Sequence, residues 1–483
     1  MNASNEDPAF IPFTGYENQT GREDISAPSN QSYIIPLFLS FTFLILLLHK
    51  LWAVCSDRSN FLDLPVLNLA NGDFSTASRE WSANYEYYMK EGYKKYRHSA
   101  YQLWGPDGYV VVLSPDFLQE LKYEKDEVCD FYSAAANAVQ GKVKFLNMTG
   151  RVPVHALRSR LTPKLDSLMP AIHEELNYAV CREFPDCSDW TNITIGHILG
   201  RVVGRITGRL FFGPSLARDE DWLQTIIDYP ENVFAAARKL RQLPSYLRPL
   251  ALPFLKNIRR ALYIHYKARK TLVPIMEARR ASQLDGSEKP PEDFLQWVME
   301  GSAREDNPTS FGRQAEQHMV IMLAAIHTST IAGTHMMFDL ATMPHLIEPL
   351  RQEINEIWNS CGGALSKPSL RKMVKLDSFM KESQRINPPT YSTFDRIMTS
   401  PKTLSNGLHL PKGTIITIPS SQVSMDQDIW HDPETFNAFR FSNLRANSNG
   451  NANNFQYPTP TEQSLHFGIG MFSSYHFLLS RIC

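Results

Sequence analysis

The sequence predicts a mainly α-helical fold with small β-sheets, of the α+β class. Apolar residues recur at helical spacing from about Val152 to Leu350, and short β runs stand on either side of this region. The 483 residues and the 43% hydrophobic content suffice for a large buried core. We therefore expect a large helical enzyme-sized domain rather than a small module.

The charge balance excludes some classes of protein. The chain has 49 Lys and Arg against 50 Asp and Glu, with no run of basic residues, so we expect no nucleic-acid partner. Only 20% of the residues are charged and 27 are Phe, which is unlike a disordered chain. The six cysteines form no C-x-x-C pair and indicate neither a zinc site nor a disulfide framework.

The N-terminus predicts a membrane anchor. Residues 33–54 are almost entirely apolar and about as long as a bilayer-spanning helix. His49 and Lys50 lie near its C-terminal end and Arg58 follows it, so the positive-inside rule places the N-terminus in the lumen. A cleaved signal peptide is the alternative, but the apolar run starts late and lacks a small-x-small exit.

This topology predicts three parts: a luminal tail (1–32), a transmembrane anchor (33–54) and a cytosolic domain (55–483). The sequons at Asn18 and Asn30 would be glycosylated in the lumen. We see no internal repeat and no linker that would divide the cytosolic part.

The elements of the cytosolic part follow in order. A helix is expected over Asn84–Tyr96, and then a hairpin of Ala100–Trp104 and Tyr109–Leu113 around a Pro-Asp-Gly turn. The helical body should be interrupted at four prolines and by a polar loop over 284–291. The four are Pro170, Pro230, Pro244 and Pro253. Short strands are expected at 408–410 and 414–418, before a polar loop over 443–461.

Glu382 and Arg385 lie three residues apart on a helix that Pro388 and Pro389 end, so they share one face. A solvated surface pair is the simplest interpretation. However, Arg440 in the segment Asp432–Phe441 could complete a buried Glu–Arg–Arg network, which needs demanding bidentate geometry.

Two further segments are candidates. Ala324, Ala325, His327 and Thr328 lie in a long helix, where small side chains allow a close approach and a threonine can bend the helix. A core helix with a satisfied histidine is the alternative. Phe467, Gly468 and Gly470 form a tight glycine-containing loop, which alone is too common to identify a function.

In this order and spacing, the three segments resemble the cytochrome P-450 superfamily of haem-thiolate monooxygenases. The resemblance is to the membrane-anchored fungal branch, which includes enzymes similar to ent-kaurene oxidase, and it extends from about residue 60 to 470. Segments that also match the family are Glu91–Tyr96, Pro106–Leu113, Arg158–Pro163, Asp293–Trp297 and Lys375–Phe379.

The resemblance implies a role for each residue of these segments. Glu382, Arg385 and Arg440 match a structural triad, and Ala325 and Thr328 match an oxygen groove in which His327 replaces the more usual acid. Haem b would be held by the loop residues Phe467, Gly468 and Gly470. Its propionates would pair with Arg158, helped by His155, and with Arg396.

The resemblance fails at the iron ligand. The family has a basic residue five positions after the loop Phe, a cysteine after seven and a glycine after nine, where this chain has Phe472, Ser474 and His476. No metal-ligating residue is therefore expected among these positions, and Cys483 lies nine residues beyond the expected site. A reading-frame or splice fault is the favoured explanation, and a real truncated product the alternative.

The resemblance implies an endoplasmic reticulum monooxygenase that oxidises an apolar intermediate of fungal secondary metabolism. Electrons would come from NADPH through NADPH-cytochrome P-450 reductase. The competing hypothesis is a non-catalytic, truncated, membrane-tethered relative that lacks the haem thiolate. A generic helical interaction protein would require the order of the motifs to be a coincidence.

Overall fold

The computed structural model describes residues 62–470 except 70–71, 141–145, 147–149, 245–246, 288 and 449, and six positions between 40 and 48. The chain divides into a unit of residues 1–60 and a unit of residues 61–483. In the first unit the six described positions have helical backbone and exposed side chains; they are Ser40, Phe41, Phe43, Leu44, Leu47 and Leu48. The predicted luminal tail, most of the predicted anchor, Asn18 and Asn30 lie outside the described residues.

The second unit is mainly α-helical with small β-sheets, which confirms the predicted class. Its helices are α1 (Phe74–Tyr96), α2 (Leu118–Leu121), α3 (Phe131–Gln140), α4 (Arg151–Ala156), α5 (Thr162–Glu183), α6 (Ile195–Phe212), α7 (Pro214–Ala217), α8 (Glu220–Arg241), α9 (Arg248–Ala251), α10 (Lys256–Asp285), α11 (Phe294–Ala303), α12 (Phe311–Thr342), α13 (Ile347–Ser360), α14 (Lys367–Leu370), α15 (Val374–Ile386), α16 (Ser420–Ser424) and α17 (Arg440–Ala446). A π-helical turn, Leu157–Leu161, joins α4 to α5.

The strands form two sheets. They are β1 (Ala100–Gly105), β2 (Gly108–Leu113), β3 (Cys129–Asp130), β4 (Thr393–Met398), β5 (Lys402–Thr403), β6 (His409–Leu410) and β7 (Ile415–Ile418). The larger sheet has the order β1-β2-β7-β4-β3, with β2 and β7 parallel, and the smaller sheet pairs β5 with β6.

The β1–β2 hairpin forms where the sequence predicts it. Gly105 pairs with Gly108 across a two-residue turn of Pro106 and Asp107. Gly108 has a φ of +117°, which a residue with a side chain rarely adopts, so glycine lets this turn close tightly. The hairpin places β2 next to β7, and β7 in turn places β4.

The long helix α12 lies in the core. It packs against α6, α8, α10 and α15, and its buried residues Met319, Met322 and Ile326 belong to the main hydrophobic cluster. Among the described residues, α12 is also the helix that is long and apolar enough to cross a bilayer. Because α12 packs against four helices of the same unit, we interpret it as a core helix.

Two of the predicted helix breaks are wrong. Pro170 lies inside α5 and Pro230 inside α8, whereas Pro244 lies between α8 and α9 and Pro253 lies in a 3-10 turn. A proline inside a helix costs about 3 kcal/mol. Pro230 is buried, and the packing of α8 against α6, α10 and α12 offsets this cost.

Helix α1 begins at Phe74, ten residues before the predicted start at Asn84. Asn84 itself has non-helical backbone, with φ −123° and ψ 23°, and marks a kink inside α1. The predicted start thus coincides with the kink, because asparagine favours helix ends over helix interiors.

Candidate active site

A cavity of about 390 Å³ lies between α12 and the segment 465–470. Its other walls include residues of α3, α4, α8, α15 and β4. We refer to this space as the central cavity; residues that line it include Phe131, Tyr132, Val154, Phe234, Ala324, His327, Thr328, Phe394, Asp395, Arg396, Phe467 and Ile469. Its walls are predominantly apolar, so an apolar molecule would be favoured inside it.

Helix α12 presents Ala324 and Thr328 to the central cavity. The Thr328 hydroxyl donates a hydrogen bond to the Ala324 carbonyl oxygen, 2.7 Å away, which places the hydroxyl against the helix one turn back. Ala325 is 1% exposed and belongs to the hydrophobic core. The small residue on the cavity side is therefore Ala324, which the family resemblance did not single out.

His327 lies between two spaces. It lines the central cavity and also a polar surface pocket together with Glu231, Asn232 and Arg238. Its ring is 5.0 Å from that of Phe234, which lines both spaces as well. Burial lowers the pKa of His327 below its usual value, so the imidazole is neutral at pH 7 and can both accept and donate a proton.

The structure brings Glu382, Arg385 and Arg440 together. Both Glu382 carboxylate oxygens accept hydrogen bonds from Arg385 at 2.8 Å, and Arg440 Nε lies 3.1 and 3.2 Å from them. The Asn437 backbone N–H donates a further bond to Glu382. Glu382 is 0% exposed, so the carboxylate is fully buried with its charge compensated.

The two arginines extend this triad into the surrounding backbone. Arg385 donates to the Ser424 carbonyl oxygen at 2.8 Å, and Arg440 donates to the carbonyl oxygens of His431, Asp432 and Thr435. These acceptors lie in the segment before α17. The triad thus fixes the path of that segment, as expected for a structural rather than a chemical role.

Arg396 lies on strand β4, lines the central cavity and is 5% exposed. Its guanidinium lies 4.3 Å from the centre of the Phe394 ring and 5.1 Å from that of Phe131. Burial lowers the pKa of Arg396, and the nearby carboxylates of Asp395, Asp126 and Asp130 oppose this shift. A buried cation on the wall of a cavity fits an anionic group inside it.

Arg158 and His155 are both exposed, and neither lines the central cavity. Arg158 lies in the π-helical turn, four residues after Val154, which does line the cavity. Arg158 also acts on the pKa of Tyr132, another lining residue. Arg158 is thus near the cavity, whereas nothing in the structure connects His155 with it.

The segment 465–470 forms the opposite wall. Gly468 and Gly470 have φ values of +69° and +81°. A Cβ at Gly470 would stand 1.9 Å from the Lys122 carbonyl oxygen, so the segment requires glycine there. Phe467 and Ile469 thereby become cavity walls. Ser474, at the expected position of the iron ligand, lies outside the described residues.

His466 connects this segment to the triad. Its Nε2 lies 3.0 Å from the Ser424 hydroxyl, and the Ser424 carbonyl accepts from Arg385. Its Nδ1 is buried and has no hydrogen-bond partner among the described residues. Burial lowers the pKa of His466 to about 3, so this imidazole is neutral.

Known proteins are similar to this chain over most of its length. The Cytochrome P450 family profile matches residues 72–470. Cytochrome P450 monooxygenase braC of Annulohypoxylon truncatum is 33% identical over 84% of this chain and 81% of its own length. Cytochrome P450 monooxygenase AN1598 of Emericella nidulans is 36% identical over 80% of this chain and 72% of its own length. The ent-kaurene oxidase of Gibberella intermedia is 34% identical over 79% of this chain and 72% of its own length.

The chain therefore belongs to the cytochrome P450 family and is a P450 monooxygenase by that relationship. The predicted superfamily is confirmed.

The residues present fit the haem that this family uses. The cavity has apolar walls on two sides, at Ala324 and at Phe467, and a buried cation at Arg396. An apolar macrocycle with acidic substituents would satisfy both. The described cysteines, Cys129, Cys181, Cys187 and Cys361, do not line the cavity.

Proposed function

We propose that the protein is a haem-dependent monooxygenase that hydroxylates an apolar intermediate of fungal secondary metabolism. The observation that carries the proposal is the apolar central cavity, which has the Thr328 hydroxyl on one wall and the buried Arg396 on another. The names of the similar fungal monooxygenases, including the ent-kaurene oxidase, support the assignment.

Haem b would lie between α12 and the segment 465–470, with Phe467, Gly468 and Gly470 along one side. Arg396 would bind a propionate through charge-assisted hydrogen bonds, and Arg158 would be the second partner after a change of side-chain conformation. When bound, the haem supplies the activation of dioxygen. The triad of Glu382, Arg385 and Arg440 supports the segment that precedes this site.

The residues on α12 would manage protons and water. Thr328 holds a hydroxyl at the cavity wall, and its bond to Ala324 O fixes the position of that hydroxyl. His327 lies between the cavity and the polar pocket, so the neutral imidazole can pass a proton inwards. Ala324 leaves room beside Thr328, and the apolar walls exclude bulk water.

We further propose the cellular arrangement that the sequence indicates. Residues 1–32 would be a luminal tail carrying glycans at Asn18 and Asn30, residues 33–54 a single-pass anchor in the endoplasmic reticulum, and residues 55–483 the cytosolic catalytic domain. NADPH would provide electrons through NADPH-cytochrome P-450 reductase. The apolar residues between 40 and 48 support the anchor.

The absorption spectrum of the reduced, CO-bound protein tests the function. A thiolate-type Soret band from this chain supports the enzyme, because only a thiolate ligand produces it. No such band from this chain, but a band from its Ser474→Cys variant, would favour the competing proposal of a non-catalytic relative. Absence of haem from both proteins would contradict the assignment of the cavity.

A further inference from the structure

The central cavity adjoins a second space of opposite character. A polar surface pocket of about 630 Å³ lies against α8, and its lining includes Glu231, Asn232 and Arg238 of α8 and Asn257 of α10. We refer to it as the polar pocket. Glu231 and Arg238 are exposed, so the polar pocket is open to water. A pocket that holds water thus borders a cavity whose walls are predominantly apolar.

Two residues lie at the boundary between these spaces. Among the described residues, Phe234 and His327 are the two that line both the central cavity and the polar pocket. Phe234 is the residue of α8 that lines the central cavity, and His327 is the residue of α12 that lines the polar pocket. Each of these two helices, which are described throughout, therefore reaches the other space through one residue.

The side chains of these two residues are in contact. Their ring centres are 5.0 Å apart and their planes are inclined by 36°. Phe234 also packs against the main hydrophobic cluster, which holds its ring in place. Burial lowers the pKa of His327, as expected for an imidazole that water reaches poorly. The contact between the two rings thus closes the boundary between the polar pocket and the central cavity.

We propose that the Phe234 ring seals the central cavity against water and ions from the polar pocket and leaves the His327 imidazole as the polar group that crosses the seal. An apolar ring excludes ions because they would lose their hydration in passing it. An imidazole can take up a proton on one nitrogen and release a proton from the other. The seal therefore admits protons and keeps bulk water away from the Thr328 hydroxyl. This inference rests on the proposed function, since it specifies how the same cavity stays dry.

A thiol placed inside the cavity tests the seal without haem. Ala324 lines the central cavity and not the polar pocket, so Ala324→Cys places a thiol behind the seal of the full chain. Two reagents of equal shape are compared: trimethylammonioethyl methanethiosulfonate, a cation, and its neutral isostere, in which carbon replaces the charged nitrogen. Mass spectrometry of the peptide that contains residue 324 gives both reaction rates, each relative to that of free cysteine, without interference from the native cysteines.

The ratio of the two rates reports on the seal. With Phe234 in place, the cation should react at least about 10-fold more slowly than the neutral reagent, because an apolar barrier excludes ions most strongly. Phe234→Ala should remove at least about 10-fold of this selectivity. Phe234→Gln fills a similar space with a polar side chain and should also remove selectivity, so it serves if the alanine variant does not fold. Phe234→Leu, which is apolar, should retain most of the selectivity.

Phe131→Ala is the matched control. Phe131 lines the central cavity but not the polar pocket, so this variant removes a ring of the same size and should leave the ratio unchanged. Circular dichroism shows whether each variant is folded. An unchanged ratio in folded Phe234→Ala or Phe234→Gln overturns the proposal. Equal rates for the two reagents with Phe234 in place do so as well, as does an equally large change in Phe131→Ala.

The CO-bound spectrum of the chain without Ala324→Cys separates this inference from the proposed function, because the thiol reactions need no haem. A thiolate-type band together with equal reaction rates refutes the seal and leaves the monooxygenase intact. A selectivity that depends on Phe234, in a chain without that band, supports the seal and contradicts the function.

Discussion

The protein contains two sets of acid and arginine side chains, and they differ in how completely their hydrogen bonds are satisfied. Glu382 accepts bonds from Arg385, Arg440 and a backbone N–H, and its arginines use further carbonyl groups. Among the described residues, the Asp395 carboxylate has one hydrogen-bond donor, Thr417, and Asp395 lines the central cavity together with Arg396. The closed set of Glu382, Arg385 and Arg440 stabilises the fold, whereas the open set of Asp395 and Arg396 lines a cavity that a ligand could occupy.

The largest decrease in the free energy of unfolding is expected at the closed set. Replacing Glu382 by alanine leaves Arg385 and Arg440 as uncompensated buried charges, which should lower the free energy of unfolding by about 3–5 kcal/mol. Urea unfolding followed by circular dichroism measures this loss.

Glu305→Ala, at an exposed position, is the control and should unfold at the wild-type urea concentration. An unchanged midpoint for Glu382→Ala would show that the triad does not stabilise the fold, and the difference between the two sets would disappear.

The next largest loss of stability is expected at acidic pH. Burial lowers the pKa of His265 and His318 to about 4 and that of His466 to about 3, from a usual 6.5. The unfolded chain therefore binds more protons between about pH 4 and 6.5, so stability is complete above pH 6.5 and falls as the pH decreases. Each histidine should contribute up to about 1.4 kcal/mol per pH unit within this window.

His466 lets this loss of stability be assigned to one residue, because its Nε2 lies 3.0 Å from the Ser424 hydroxyl and its Nδ1 is buried without a hydrogen-bond partner among the described residues. Urea unfolding at pH 7, 6 and 5 should show a smaller loss of stability for His466→Gln than for the wild type. Equal losses in the two proteins would mean that His466 is not held neutral in the fold.

The smallest decrease in the free energy of unfolding is expected for the open set. Thr417→Val removes the hydrogen bond to Asp395, and because Asp395 is exposed, water can replace the lost donor. We expect a loss of about 1 kcal/mol, the net value of one hydrogen bond. Thr403→Val, on an exposed residue of β5, is the control in the same urea experiment. A loss as large as that of Glu382→Ala would refute the distinction between the sets.

The sequence predicts the closed set better than the open one for a physical reason. Glu382 and Arg385 share a helix face because of their local spacing, and the tight hairpin turn likewise follows from neighbouring residues. The bulge at Phe394 arises from pairing with β7, about twenty residues later, so no local pattern reveals it. Pro230 shows the same limit of local patterns, since the packing of α8 overrides the tendency of proline to end a helix.

The cavity face of α12 shows a further limit of prediction from the sequence. The motif indicates that a small residue precedes Thr328, but the choice between Ala324 and Ala325 depends on how the helix is rotated against α6 and α10. Only the packed structure shows that Ala325 belongs to the core and Ala324 to the cavity. The position of Arg158 is likewise set by tertiary packing.

Titration of the purified protein with haemin, for the wild type and Arg396→Leu, tests most directly whether the open set binds the cofactor. The account predicts that Arg396→Leu binds haemin at least about 10-fold more weakly, because a hydrogen bond to a charged group is lost. The urea midpoint of unfolding should not decrease in this variant. Arg371→Leu, at an exposed position, should bind as the wild type does. Equal haemin affinity for wild type and a folded Arg396→Leu would contradict the account.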